Sequence, residues 1–290
     1  MIFIITNFIN GLSLGGVYAL IALGYTMVYG IAKMLNFAHG DIIMVGGYTI
    51  MVFLNMIGLS IPAIIISIII CIAFGITIEY TAYRPLRGAS PLAVLITAIG
   101  VSYLLQSLSH IVFGSAPQWV NFKELGTIQL GEVRISVATI LTLVVAAIIM
   151  VTLTLFVSKT KTGKAMLAVS EDRDAAQLMG IKVNRIIAIT FAIGSALAAV
   201  AGAFYILKTP KVTVTMGAMP GIKAFTAAVI GGIGSIPGAM IGGLLLGIIE
   251  TACNATSFAA YTEAIEFALL ILILLVKPTG FLGKKRREKV

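Results

Sequence analysis

The fold class this sequence predicts is all-α: a polytopic transmembrane helical bundle of about eight to nine membrane segments. Three observations predict it. The 290 residues are 59% hydrophobic and only 11% charged, against roughly 25% charged in soluble domains. Mean hydropathy is +1.08. Uncharged or nearly uncharged runs of about 20 residues recur, each long enough to cross a hydrocarbon core about 30 Å thick as a helix. Periodicity adds little inside such runs, because helices in lipid are apolar on every side.

The opening run, 1–32, contains no charged side chain. It therefore lacks the basic n-region of a cleaved signal peptide and reads as a retained span at about 7–31. Further spans are expected at about 36–57, 61–83, 91–113, 136–157 and 186–207, then a glycine-rich region at 221–253 and a last span at 259–280. All of 1–290 reads as one integral-membrane domain. Cys71 and Cys253 sit in apolar stretches, without metal-ligand spacing or a loop position suited to a disulfide, and read as small core residues.

The formal charge of +9 does not point to nucleic acid, because the basic residues lie in short segments beside the spans and report topology instead. If 159–185 is cytoplasmic, alternation puts Lys33, the loop with Arg84 and Arg87, and the tail from Lys277 on that same side. All but five of the 20 Lys and Arg residues then share it; the exceptions are Lys123, Arg134, Lys208, Lys211 and Lys223. This asymmetry fits the positive-inside rule, with the N-terminus outside and the C-terminus cytoplasmic.

Parity then requires 221–253 to enter the membrane and return. Gly231, Gly232, Gly234, Pro237 and Gly238 form the natural turning point, since glycine and proline break helices and permit close backbone packing. Arms of about 13 and 15 residues are short for full spans. A re-entrant helical hairpin or a pair of broken helices is expected, tolerable in lipid only where protein shields it or it lines a cavity. Residues 40–47 (GDIIMVGG) also echo 238–243 (GAMIGG), which suggests a parallel internal repeat; chance similarity of glycine-rich apolar segments is the other reading. In the outer loop 114–135, with Lys123, Glu124, Glu132 and Arg134, Trp119 reads as an interfacial anchor. The basic tail 281–290 is expected to fix orientation and touch anionic membrane lipid.

One polar stretch stands apart: residues 159–185, KTKTGKAMLAVSEDRDAAQLMGIKVNR, between two long apolar runs. Ser170 is suited to N-cap a short helix, with Glu171, Asp172 and Asp174 in or near its first turn, where the positive helix end favours carboxylates. Gly180 would end it. A helix of about nine residues is unstable alone in water and needs something to dock against.

Chemistry-bearing motifs are otherwise sparse. Gly163-Lys164-Ala165 lacks the upstream glycine and the Ser or Thr of a phosphate-binding loop, so ATP is not bound by that route. No nucleophile triad or HExxH arrangement stands out, and His39 and His110 are the two histidines; an enzyme is disfavoured. Asn36, His39 and Asp41 form the most polar cluster near a membrane entry and are candidates for a translocation path. The alternative is that Asn36 and Asp41 cap or pair locally at a helix start while His39 snorkels beside them. Glu79, Glu250, Glu263 and Glu266 lie near predicted span ends, where interfacial solvation accounts for them. Glycines including Gly46, Gly47, Gly231, Gly232, Gly234 and Gly238 permit tight helix contact and could expose backbone groups to a polar solute.

The segment Asp174-Ala175-Ala176-Gln177-Leu178-Met179-Gly180 resembles the EAA-xxx-G loop of ABC importer permeases, with Asp174 in place of the leading Glu and no downstream proline. Together with LNFAHGDIIMVGGY at 35–48 and GGIGSIPGAMIGG at 231–243, the whole chain resembles the H-type permease subunit of branched-chain amino-acid importers. The resemblance implies a bacterial or archaeal cytoplasmic-membrane permease for Leu, Ile or Val. Its implied partners are a second, M-type permease in a heterodimer, two cytoplasmic ATPase subunits and an extracytoplasmic solute-binding protein. ATP and Mg would be bound by the ATPases, with no cofactor in this chain. Residues Glu171, Asp172, Asp174, Ala175, Ala176 and Gly180 would form the coupling element that docks on an ATPase and moves as a rigid lever. A superfamily permease for urea, amides or sugars, and an autonomous secondary transporter using Asp41 or Glu79, are the competing readings.

Overall fold

A computed structural model describes residues 2–122, 125–130 and 133–283. Lys123, Glu124, Glu132 and the basic run from Lys284 lie outside the described residues. Among the described residues, eight helices are long and apolar enough to cross a membrane.

The first helix, α1 (Ile2–Ala32), is the axis of the bundle, and every residue from Gly15 to Val28 on it is buried. It ends at Lys33, which takes a left-handed φ of 54° and returns its N–H to the Tyr29 carbonyl at 2.9 Å. Helix α2 (His39–Ile57) follows and stops at Gly58, also left-handed. Helix α3 (Ser60–Ile78) runs into a π-turn, Glu79–Tyr83, and a 3-10 turn, Arg84–Leu86, where Pro85 breaks the ladder. The outer helices α4 (Pro91–Phe113) and α5 (Val137–Lys159) are N-capped by the Ser90 and Ser136 hydroxyls.

Beyond the polar insert, α8 (Val183–Lys208), α9 (Ala218–Gly231), α10 (Ile236–Asn254) and α11 (Thr262–Val276) complete the bundle. Helix α1 packs against α5, α8, α9 and α10, while α2 packs between α3 and α8. Much of α3, α4 and α11 stays exposed, with Ile61, Ile65, Ile69, Leu92, Ile96, Ile111 and Leu275 facing outward. Apolar side chains in that number on an outer surface suit lipid or another membrane subunit, not water.

The α1–α10 seam is backbone on backbone. A methyl on Gly15 would sit 2.7 Å from the Leu244 Cα, and one on Gly11 would sit 3.0 Å from the Ile248 Cα. From the other side, Gly243 abuts Ala19 and Gly247 abuts Gly15. Glycine is required here by proximity, since any side chain would push the helices apart.

The expected turn at 231–238 is present: α9 and α10 are joined at 232–235, and the Ser235 hydroxyl caps α10. The arms differ from expectation. Helix α9 has 14 residues, about 21 Å by helical rise, and is short of a full crossing. Helix α10 has 19 and is long enough for one, because its apolar run begins at Ile236 within the glycine-rich segment. Between Lys208 and α9 the chain descends without helix: Met216 reaches Gly47, and Gly217 abuts Gly40 in the first turn of α2.

The loops before α5 and after α8 carry strands that the sequence did not announce. Strand β1 (Gln118–Trp119) pairs antiparallel with β4 (Lys211–Val212), and β2 (Thr127–Leu130) with β3 (Val133–Ser136). Trp119 stays exposed. Strands of two to four residues fall below what alternation can reveal.

Candidate functional site

The polar insert folds as two helices, α6 (Lys161–Glu171) and α7 (Arg173–Leu178). The Thr160 hydroxyl starts α6 by accepting the Gly163 N–H at 3.0 Å. Gly163 is pressed against the Phe156 and Val157 carbonyls, and Met166 and Val169 are buried beneath it. The spacing of 163, 166 and 169 puts one face of α6 on the bundle.

Ser170 does not cap α7. It lies in the last turn of α6 and donates to the Leu167 carbonyl at 2.7 Å. Asp172 is the cap: extended in backbone, it accepts the Asp174 and Ala175 N–H groups at 2.9 Å each. The carboxylate satisfies two of the helix's orphan donors at once, so the break falls two residues later than expected. Glu171 therefore closes α6, and α7 has six residues in place of about nine.

Gly180 ends the unit as anticipated, at φ +83°. Its N–H bonds the Gln177 carbonyl at 2.9 Å and that of Ile181 bonds the Ala176 carbonyl at 3.0 Å. These are the two bonds of a Schellman motif. Ala176 is buried, while Asp174 and Ala175 are exposed. At the tip, Leu178 is 88% and Met179 83% exposed. Two large apolar side chains held out by a capped turn form a surface that gains by being covered.

Two arginines tie this unit to the bundle. Arg173 donates to the Ala32 carbonyl at the end of α1. Arg87, from the connection before α4, donates both to Asn184 in the first turn of α8 and to Glu79. Burial, with the Arg87 charge next to it, lowers the Arg173 guanidinium from its ordinary pKa.

The candidates of the α2 entry are interior groups, not local caps. Asn36 accepts the Tyr83 hydroxyl at 2.8 Å, and Asp41 accepts from Gln106 at 2.8 Å. Ala38 occupies the N-cap of α2 with no side-chain bond. His39 is buried against the Tyr25 ring, centroids 4.7 Å apart, and does not snorkel. Gly46 lets Ser67 reach its carbonyl at 3.0 Å, and Gly47 makes room for Met216. Gly231 abuts Gly238 within the hairpin, Gly234 approaches Gly30, and Gly232 lies against Gly283. These residues are spread along α2, its entry and the α9–α10 hairpin. Asn36 and the hairpin residue Ile233 do line a common crevice with Tyr25, Tyr29, Leu35 and Phe225.

Interfacial solvation does not describe three of the four glutamates. Glu79 is 2% exposed and paired with Arg87. Glu250 of α10 and Glu266 of α11 meet Lys223 of α9 at 2.8 and 3.2 Å. Lys223 is thus a buried residue of α9, not an outer-loop charge. The missed signal was complementary charge in consecutive apolar segments, which membrane helices bury only in pairs.

Residues 7–274 match the family model described as the permease component of branched-chain amino acid transport systems. The chain is similar to the high-affinity branched-chain amino acid transport system permease protein BraD of Pseudomonas aeruginosa, with 48% identity across 97% of this chain and 96% of that protein. It is similar to the corresponding protein LivH of Escherichia coli, with 43% identity across 100% and 98%. A probable LivH of Methanocaldococcus jannaschii is 30% identical across 91% of this chain and 88% of its own. No solved structure matches. With full-length similarity, eight apolar helices and the α6–α7 insert together, the chain belongs to the family of permease components of branched-chain amino acid transport systems.

Proposed function

We propose that this chain is the transmembrane subunit of an ATP-driven importer that moves leucine, isoleucine and valine across the cytoplasmic membrane. The observation that carries the reading is 48% identity to a branched-chain amino acid permease over nearly the full length of both chains. ATP hydrolysis belongs to two separate ATPase subunits, a second permease completes the pore, and a solute-binding protein delivers the amino acid outside. Helix α7, with Asp172 capping it and Gly180 closing it, docks on an ATPase through Leu178 and Met179. The exposure of those two side chains supports this role.

The face bearing 159–185 is cytoplasmic and the N-terminus is outside. In support, Ala32, Arg87, Arg173 and Asn184 meet at one end of the bundle, so Lys33 and Arg87 share a side with the insert. The solute passes the α2 entry, with Asn36, His39, Asp41, Gly46 and Gly47, and the hairpin glycines 231, 232, 234 and 238.

Affinity purification in mild detergent tests the assembly. Recovery of a P-loop ATPase and a second permease, lost on deleting 171–180, is the expected result; a lone, transport-active polypeptide would sink the reading. Cysteines at positions 160 and 285 should label from the cytoplasm, and one at 120 from outside.

A further inference from the structure

Helix α7 is too short and too exposed to drag the bundle by packing alone. Apart from Arg173 and Ala176, all of its residues are exposed. Its side-chain hold on the bundle axis is the Arg173 guanidinium, which reaches the carbonyl of Ala32, the last residue of α1. Carbonyls in the last turn of a helix lack intrahelical partners, and the negative end of the helix dipole favours a cation. Lys33 serves the same end by donating to the Gly30 carbonyl. The C-terminus of α1 is therefore held by two cations, one of them belonging to α7.

A second tie starts where the insert re-enters the bundle. Asn184, in the first turn of α8, receives one arm of Arg87, whose other arm holds the buried carboxylate of Glu79. Glu79 opens the π-turn that closes α3, and such turns widen a helix locally and cluster at functional positions. Four residues on, Tyr83 at the end of the same turn donates to Asn36 in the α1–α2 connection. Past Asn36, Gly40 abuts Gly217, where the non-helical descent of 209–217 meets α9. Side-chain hydrogen bonds, joined by the π-turn and the backbone of 36–40, thus lead from the insert to a close glycine–glycine approach at the start of α9.

We infer that Arg173 and Arg87 are positioning residues that carry displacement of α7 into the bundle, Arg173 into α1 and Arg87 through the α3 π-turn toward α9. This rests on the importer reading above. It differs from transmission by α5 and α8 alone, which needs neither arginine. The two sites make different chemical demands. Arg173 makes one bond to a carbonyl, which a lysine ammonium can replace. Arg87 bridges an amide and a carboxylate on separate elements, which requires the guanidinium fork.

The test uses the whole transporter, purified with its copurifying subunits and reconstituted in proteoliposomes. Uptake of radiolabelled leucine and ATP hydrolysis are measured on the same preparation. Wild-type chain that assembles with no ATPase, or assembles and moves no leucine, defeats the importer reading itself. Given an active wild type, Arg173→Ala should assemble and hydrolyse ATP but lose about tenfold in leucine moved per ATP, an ordinary coupling energy for linked sites. Arg173→Lys should restore the ratio; Arg87→Lys should not. Asn184→Ala, which leaves the buried Glu79–Arg87 pair intact, should lower the ratio as Arg87→Lys does. That variant decides the second tie even where Arg87→Ala fails to fold. An unchanged ratio in Arg173→Ala and Asn184→Ala, or loss of assembly in Arg173→Ala and Arg173→Lys alike, overturns the inference.

Discussion

Charge is held in two contrasting ways in this molecule. Along 159–185, the charged side chains other than Arg173 are exposed around two helices that are capped by their own neighbours, Thr160 and Asp172. In the cluster of Lys223, Glu250 and Glu266, one ammonium on α9 is paired with carboxylates from α10 and α11 in a largely buried site. Removing an exposed charge from the insert, the capping Asp172 aside, costs little, because solvent takes its place. Removing one from the cluster leaves the others stranded in a largely buried site. The insert is thus free to adapt to a partner, and the cluster is committed to one arrangement of α9, α10 and α11.

The largest expected effect therefore falls on the cluster. Lys223→Met should destabilise the chain by about 3–5 kcal/mol, read as a fall in thermal stability in detergent. Adding Glu250→Gln and Glu266→Gln should recover most of the loss; an unchanged midpoint in Lys223→Met would remove the contrast altogether. Next comes Gly180→Val, which forces a β-branched residue into φ +83° at about 1–2 kcal/mol. It should weaken ATPase retention with normal membrane insertion, and because nothing lies within 4 Å of the position, Gly180→Asn should do less harm. Asp172→Ala should cost about 1 kcal/mol through the lost cap, whereas Ser170→Ala should not weaken the cap at all. Copurification of the ATPase reads both. Smallest for the fold is Leu178→Ser with Met179→Ser: stability should stay within about 0.5 kcal/mol, yet ATPase copurification should fall. Full retention would show that the exposed pair is not the docking surface.

The spans were legible because hydropathy over about 20 residues is a strong signal. The 91–113 segment matches α4 residue for residue. Gly180 was legible too, since a glycine closing a helical pattern has one common structural meaning. The cap was not, because Ser170 and Asp172 are both competent and local sequence does not say where one helix stops and the next begins. The glutamates, and the alternative of a snorkelling His39, failed for a different reason. Position near a span end gives depth along the helix, but not which way the side chain faces. Pairs such as Asn36 with Tyr83, or Lys223 with Glu266, join residues 43 or more positions apart, and only the packing of α1, α3, α9 and α11 brings them within reach.

The glycine seam between α1 and α10 has a mechanical meaning. Helices whose side chains interlock are fixed in register, because a shift of one turn asks every tooth on the seam to change rotamer. Gly11, Gly15, Gly243 and Gly247 leave that seam without teeth. Helix α1 then meets α10 as one smooth rod lies along another, backbone against backbone. A single methyl at Gly15 would meet the Leu244 backbone and wedge that seam open, so the closeness of the two helices hangs on a side chain that is not there.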